Sequence, residues 1–294
     1  MSPVIQSIRP AFLVLTPIVV FVSLSVSLWL GYEPKLLVIV YALIGAMAAH
    51  VSVNTFNEYF DHESGLDANT QRTPFSGGSG ALQESPHHAI AVHDLAMASF
   101  VICIFIGAFF VWLRGPLLIP LGVVGLLLVV FYTNWVTRHP LMCLLAPGLA
   151  FGPIVVIGSY IAITGQYVWP PVLASLLVFF QVNNLLLLNQ YPDIEADKAA
   201  GRRHWLIVYG ARSGLYVYAL FAVLAYVPII AAVGLNYLPA TTLLVLLTLP
   251  MAIFCVFRLA RHVNQTVSLE PALAINVVLC LATPLLLSVG LLLD

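Results

Sequence analysis

The chain is a succession of long apolar runs divided by short polar breaks, and that alternation leaves it few folds. Nine runs reach the roughly 20 apolar residues that an α-helix needs to cross a bilayer. They cover residues 11–31, 36–56, 90–113, 116–134, 141–163, 171–190, 213–234, 239–257 and 270–292. Several breaks carry helix-stopping Pro or Gly, as in Gly115-Pro116, His139-Pro140, Pro170-Pro171 and Pro239. Only 8% of the 294 residues are charged, against about 25% in soluble domains, so the side chains cannot furnish a water-facing surface. The expectation is an all-α, polytopic membrane bundle of nine transmembrane helices forming one domain over residues 1–294. No small-residue cleavage site follows the first run, so it is read as a span and not as a cleaved leader. A net charge of −1 gives no basic footprint for a nucleic-acid partner. Cys103, Cys143, Cys255 and Cys280 all lie inside apolar runs without metal-ligand spacing, and are expected to pack as small apolar residues.

Lys and Arg set the expected orientation, because basic residues collect on the cytoplasmic side. With the N-terminus inside, that side holds Arg9, Arg72, Arg138, Lys198, Arg202, Arg203, Arg212, Arg258 and Arg261. The opposite side holds only Lys35 and Arg114. One helix more or fewer would scatter these residues across both faces.

Against this background the acids stand out. Glu58, Asp61, Glu63 and Asp67 follow directly on the second apolar run, in Asn54-Thr-Phe-Asn-Glu-Tyr-Phe-Asp-His-Glu-Ser-Gly-Leu-Asp67. On a helix, His50, Asn54, Asn57 and Asp61 share one face, and a polar stripe on a membrane helix must face protein or a water-filled cavity. Gly65 is expected to end the helix. A second cluster, Asn189-Gln-Tyr-Pro-Asp-Ile-Glu-Ala-Asp197, follows the sixth run, and the spacing stacks Asn189, Asp193 and Asp197 on one face. Asn183 and Gln190 would extend that face, and Pro192 is expected to kink the helix or to start a new segment. Asn57-x-x-x-Asp61 and Asn189-x-x-x-Asp193 lie 132 residues apart. This is a weak parallel repeat of two four-helix units, about 11–134 and 141–257, with a last helix over 270–292.

If the two helix ends meet, their carboxylates share one vestibule. Two such groups 4 Å apart repel by about 4 kcal/mol at an effective dielectric near 20, so the cluster must shift its own ionisation or bind cations. Asp, Glu and Asn are hard oxygen donors, which suit Mg²⁺ better than Zn²⁺. Carboxylates flanked by Arg and Lys therefore point to a Mg²⁺–diphosphate site.

These residues resemble the UbiA-type intramembrane prenyltransferases. The similarity runs over essentially the whole chain: Ser7-Ile-Arg-Pro10 near the N-terminus, the 57–67 cluster, the Arg72–Leu82 loop, and Asp193–Trp205 with its basic tail. The resemblance implies nine helices, a prenyl diphosphate held through Mg²⁺, and transfer of its polyprenyl group to a small aromatic acceptor inside the membrane. The six-residue Asp61–Asp67 interval and the segment 150–165 are most like the branch that prenylates 1,4-dihydroxy-2-naphthoate for menaquinone. Other acceptors, such as 4-hydroxybenzoate or homogentisate, stay open. So, from another class, does a secondary transporter, although no Asp, Glu, Lys or Arg lies mid-span. Asp61, Asp67, Asp193 and Asp197 are the expected metal ligands, with Asn57 and Asn189 orienting the shell. Arg72, Lys198 and Arg202 would neutralise the diphosphate, and Tyr59, Tyr132 or Tyr191 could face an allylic cation. The prenyl tail would contact membrane lipid. The expected location is a bacterial or archaeal cell (inner) membrane, with the site facing the cytoplasm.

Overall fold

The computed structural model describes residues 2–66, 78–263 and 265–294. Asp67 and Arg72 lie outside the described residues. Among those described there is no strand. Eight helices are long and apolar enough to cross a bilayer. In chain order they are α1 (Pro10–Trp29), α2 (Leu36–Glu63), α3 (Pro86–Arg114), α5 (Pro140–Thr164), α6 (Trp169–Asn189), α7 (Ala211–Gly234), α8 (Ala240–His262) and α9 (Glu270–Leu292). The fourth apolar run forms a shorter helix, α4 (Pro116–Phe131). At 1.5 Å per residue it is about 24 Å long.

The prolines explain many of the boundaries. Pro10, Pro86, Pro116, Pro140 and Pro271 stand in the first helical positions of their elements, where the missing N–H costs nothing and the fixed φ favours the helix. Inside a helix the same residue does the reverse. Pro147 and Pro153 fall within α5, and its stretch Ala150–Ile157 widens into a π-helix. The Gly148 N–H donates across to Asn183 Oδ1 on α6, at 2.6 Å. A buried amide in a membrane must find such a partner, and here it comes from the neighbouring helix. A Cβ at Gly148 or Gly152 would collide with the α6 backbone, so these glycines permit a close small-residue crossing.

α6 is the hub, packing against α5, α7, α9 and α1, and 67% of its apolar window is buried. α2 and α3 pack along one another at the periphery, with only 22% and 17% buried. Phe105 and Trp112 of α3 point outward and are mostly exposed, as suits side chains meeting acyl chains. Such a chain is an integral, multi-pass membrane protein.

Two ties mark the end of the bundle away from the acidic clusters. Arg114 donates from Nε and Nη2 to the carbonyls of Ala162 (2.8 Å) and Ile163 (2.6 Å), capping α5. Trp29 reaches Asp294 at 3.0 Å.

Candidate active site

The two acidic clusters meet at one end of the bundle, and similar helix terminations bring them there. α2 ends at Glu63, and Gly65 (φ +73°) follows in the left-handed conformation, its N–H donating to the His62 carbonyl at 3.0 Å. The second cluster is not one continuous helix. α6 stops at Asn189, the chain turns through Pro192, and a short helix, Ile194–Ala199, starts with Asp193 at its N-cap. The expected stack of Asn189, Asp193 and Asp197 on one helix is therefore replaced by a turn, because Pro192 cannot donate to the ladder. The short helix ends in a Schellman motif around Gly201 (φ +78°): Gly201 N–H donates to Lys198 O (3.1 Å) and Arg202 N–H to Asp197 O (2.9 Å). That reversal returns the Arg202 side chain to the carboxylate of Asp197.

Arg202 joins the halves. Its Nη1 donates to Asp197 Oδ1 at 2.8 Å and its Nη2 to Asp61 Oδ1. The other oxygen of Asp61 accepts from Asn57 Nδ2 at 2.9 Å, so the Asn-x-x-x-Asp spacing is a real contact in the first cluster. His204 Nε2 lies 3.2 Å from Asp197 Oδ2. Burial alone would lower the guanidinium pKa of Arg202, but Asp61 and Asp197 outweigh it and hold the pKa above its ordinary value. Arg202 is thus fixed as a cation at every working pH.

A second cation stands beside it. Arg9 adopts φ +53° between Ile8 and Pro10. It donates to Asn57 Oδ1 (2.9 Å) and, through Nε and Nη2, to Glu58 Oε1 (2.9 and 2.6 Å). Glu58 is fully buried. Its carboxylate also accepts from the backbone N–H and the hydroxyl of Ser79, at 2.6 and 2.7 Å. Four charge-assisted bonds on one buried carboxylate make it a structural pin: it ties Arg9 at the mouth to Ser79.

From this mouth a cavity of about 890 Å³ runs into the bundle. Arg9, Asn57, Asp61, Asn189, Asp193, Asp197, Arg202 and His204 line its polar end. Its body is apolar, walled by residues such as Ile106, Phe110, Leu121 and Val155, and it reaches Ala162 near the opposite end of the bundle. Gly107, Gly122 and Gly158 also line it, and a Cβ at any of them would meet nothing within 4 Å.

The expected site residues fare differently. Asp61, Asp193, Asp197, Asn57, Asn189 and Arg202 are brought together. Lys198, in contrast, is exposed and does not line the cavity, because it faces away from Asp197 on the short helix. Of the three tyrosines only Tyr132 lines the cavity. Tyr191 is buried in the core with its hydroxyl on the Ala211 carbonyl at 2.7 Å, and Tyr59 packs on Phe60 and His93. Asn183 is spent on Gly148. His204 was not expected at the site, and Glu58 was read only as one of the clustered acids, not as the buried partner of Arg9. For Glu58 the signal was present, since position 58 lies one residue off the Asn57–Asp61 face and next to the N-terminal Arg-Pro pair.

Do the residues present fit Mg²⁺? Among the described residues no three His, Cys, Asp or Glu side chains converge closely enough to hold an ion. Mg²⁺ does not ask for that, taking one or two carboxylates and completing its octahedron with phosphate and water oxygens. The donors at the mouth are hard oxygens, and Asn189 Oδ1 is buried there without a hydrogen-bond partner. The set fits.

Comparison with known proteins agrees with this arrangement. The sequence profile of the UbiA prenyltransferase family matches residues 17–290, and the chain belongs to that family. Among its relatives, it is 26% identical over 204 residues to the 1,4-dihydroxy-2-naphthoate octaprenyltransferase of Bacillus subtilis, a match covering 67% of this chain and 63% of that protein. It is 23% identical over 233 residues to the 2-carboxy-1,4-naphthoquinone phytyltransferase of Synechocystis, covering 76% of this chain and 70% of the relative. In fold it is similar to a UbiA homologue from Archaeoglobus fulgidus solved with DMAPP and Mg²⁺, with a TM-score of 0.67, 14% identity, and 98% and 100% of the two chains covered.

Proposed function

We propose that the protein transfers a polyprenyl group from a prenyl diphosphate to an aromatic acceptor within the membrane, with 1,4-dihydroxy-2-naphthoate as the acceptor. The observation that carries the reading is the single mouth in which Asp61 and Asn57 from α2 meet Asn189, Asp193, Asp197 and Arg202 from the turn after α6, above an apolar chamber. The relatives act on naphthoate-type acceptors by name, and the Archaeoglobus homologue carries a prenyl diphosphate with Mg²⁺. Both support this assignment.

In this reading Asp61, Asp193 and Asp197, with Asp67, would hold Mg²⁺, and Asn57 and Asn189 would orient its shell. The bound ion would offset the diphosphate charge and so assist loss of the leaving group. Arg202 and Arg9, with Arg72, contact the remaining phosphate oxygens, where fixed cations stabilise the charge that builds as the C1–O bond breaks. Tyr132 offers a ring face to the allylic carbon. The chamber excludes water and takes the prenyl tail. The acceptor ring then attacks C1, and a proton or the naphthoate carboxylate departs. We further infer nine crossings including α4, a cytoplasmic N-terminus and mouth, two four-helix units plus α9 in one domain, and residence in a bacterial or archaeal cell membrane.

The test is product formation by purified protein given a prenyl diphosphate, Mg²⁺ and a panel of aromatic acceptors. A prenylated naphthoquinol is the expected product. No product with any acceptor overturns the activity, and a product only with 4-hydroxybenzoate or homogentisate overturns the acceptor.

A further inference from the structure

One polar group inside the chamber has no part in holding diphosphate. His50 lies on α2 seven residues before Asn57, so it shares that face about 10 Å deeper in the membrane. Its side chain is buried yet lines the cavity, among Ala46, Ala49 and Val53. The ring is held on two sides. Phe151 meets it edge to face, with centroids 4.9 Å apart, and Nδ1 is 2.7 Å from the hydroxyl of Thr16 on α1.

The hydrogen-bond pattern assigns the tautomer. Thr55, Thr137 and Thr283 each send their hydroxyl proton to a carbonyl in their own chain segment. The Thr16 hydroxyl has no such contact among the described residues, and its one partner is Nδ1. Thr16 therefore donates, Nδ1 accepts, and the neutral ring carries its proton on Nε2. Nε2–H has no protein acceptor among the described residues, and it is not sealed in the core. A donor left facing a hydrocarbon chamber is costly, so its partner comes with the occupant. A prenyl tail has no oxygen to offer, and the diphosphate is held about two helical turns away.

We propose that His50 is a specificity-determining residue that donates a hydrogen bond from Nε2 to an oxygen of the aromatic acceptor, selecting acceptors that carry a carboxylate or phenolate. This rests on the reading given above of the cavity as the shared site of prenyl diphosphate and acceptor. No proton changes hands: Thr16 and Phe151 fix the ring, and Nε2–H orients the acceptor.

The test uses detergent-purified full-length protein and two probes, 1-hydroxy-2-naphthoate as a stable acceptor analogue and geranyl diphosphate with Mg²⁺, each titrated calorimetrically. His50→Leu is expected to weaken naphthoate binding about tenfold or more, the scale of a hydrogen bond to a charged group, and to leave geranyl diphosphate affinity unchanged. His50→Gln, which keeps a donor, should recover part of the loss. Thr16→Val, which frees the tautomer, should give a smaller loss in the same direction. Equal naphthoate affinity in wild type and His50→Leu would overturn the proposal, leaving Nε2 to water alone. Equal losses for both probes would also overturn it, since that marks a structural role. Wild type that binds geranyl diphosphate but no naphthoate overturns this proposal and leaves the diphosphate site standing. Failure to bind geranyl diphosphate strikes instead at the proposed function itself.

Discussion

The two helices that carry the matching Asn-x-x-x-Asp spacing reach the same mouth by different means. In α2 the motif stays on one helix, and Asn57 bonds Asp61 directly. After α6 the identical spacing is cut by Pro192, so Asn189 ends one helix and Asp193 begins another. Asn189 Oδ1 is left buried without a partner. The closer structural match pairs Asp61 with Asp197. Each lies four residues before a left-handed glycine, Gly65 or Gly201, that ends its helix. One wall of the mouth is thus preformed by a continuous helix, and the other is assembled by a turn. Burial follows the same division: α6 is the hub of a packed half, whereas α2 borders the chamber and lipid.

The sharpest way to break this comparison is to remove the carboxylates that Arg202 joins. Asp61→Asn and Asp197→Asn should each lower turnover by about 10²–10³-fold, the loss usual when a preorganised charged contact is deleted. The protein should still run as a folded species on size exclusion, and turnover within a few-fold of wild type in both would show that the pair does not serve the diphosphate. Next comes Pro192→Ala, which lets α6 run on and moves Asp193 and Asp197. Misplacement by an ångström costs up to about 10²-fold, so kcat should fall by one to two orders while the equivalent position of the preformed wall has no such weak point. Gly201→Ala strains a left-handed turn and should cost about 1 kcal/mol, read as a lower Tm. It should also reduce activity more than Gly65→Ala does, because Gly201 aims Arg202. The smallest effect is expected for Lys198→Ala, an exposed change within about 0.5 kcal/mol in stability and without effect on kcat. A large loss there would mean that Lys198 swings to the mouth in turnover.

Much of the fold was legible because a bilayer imposes length and polarity on every span, and the apolar runs agree with the helices to within a few residues except at the C-terminal ends of α2 and α8, which run on to Glu63 and His262. What the sequence held less plainly was partnership. Asn183 reads as part of the polar site, yet its side-chain oxygen accepts from the Gly148 backbone N–H of the neighbouring helix. Tyr191 reads as a ring that could face the allylic cation, yet it is buried in the core with its hydroxyl on the Ala211 carbonyl. Glu58 reads as one acid among several, yet its network of four bonds spans Arg9 and Ser79, on segments about 50 and 20 residues away in sequence. Such contacts depend on which helices touch, and helical spacing on one segment does not carry that information. Arg202, by contrast, was legible as a basic neighbour of the second cluster, although only the turn at Gly201 shows why it and not Lys198 reaches the mouth.

The glycines that face the chamber have a practical consequence for how such a protein could diversify. At Gly107, Gly122 and Gly158 a first side-chain carbon would enter vacant space and press on no neighbour. A change there would shorten or narrow the room for a tail without disturbing the bundle around it. Volume could therefore be taken from the chamber at these positions without touching the residues that line its mouth.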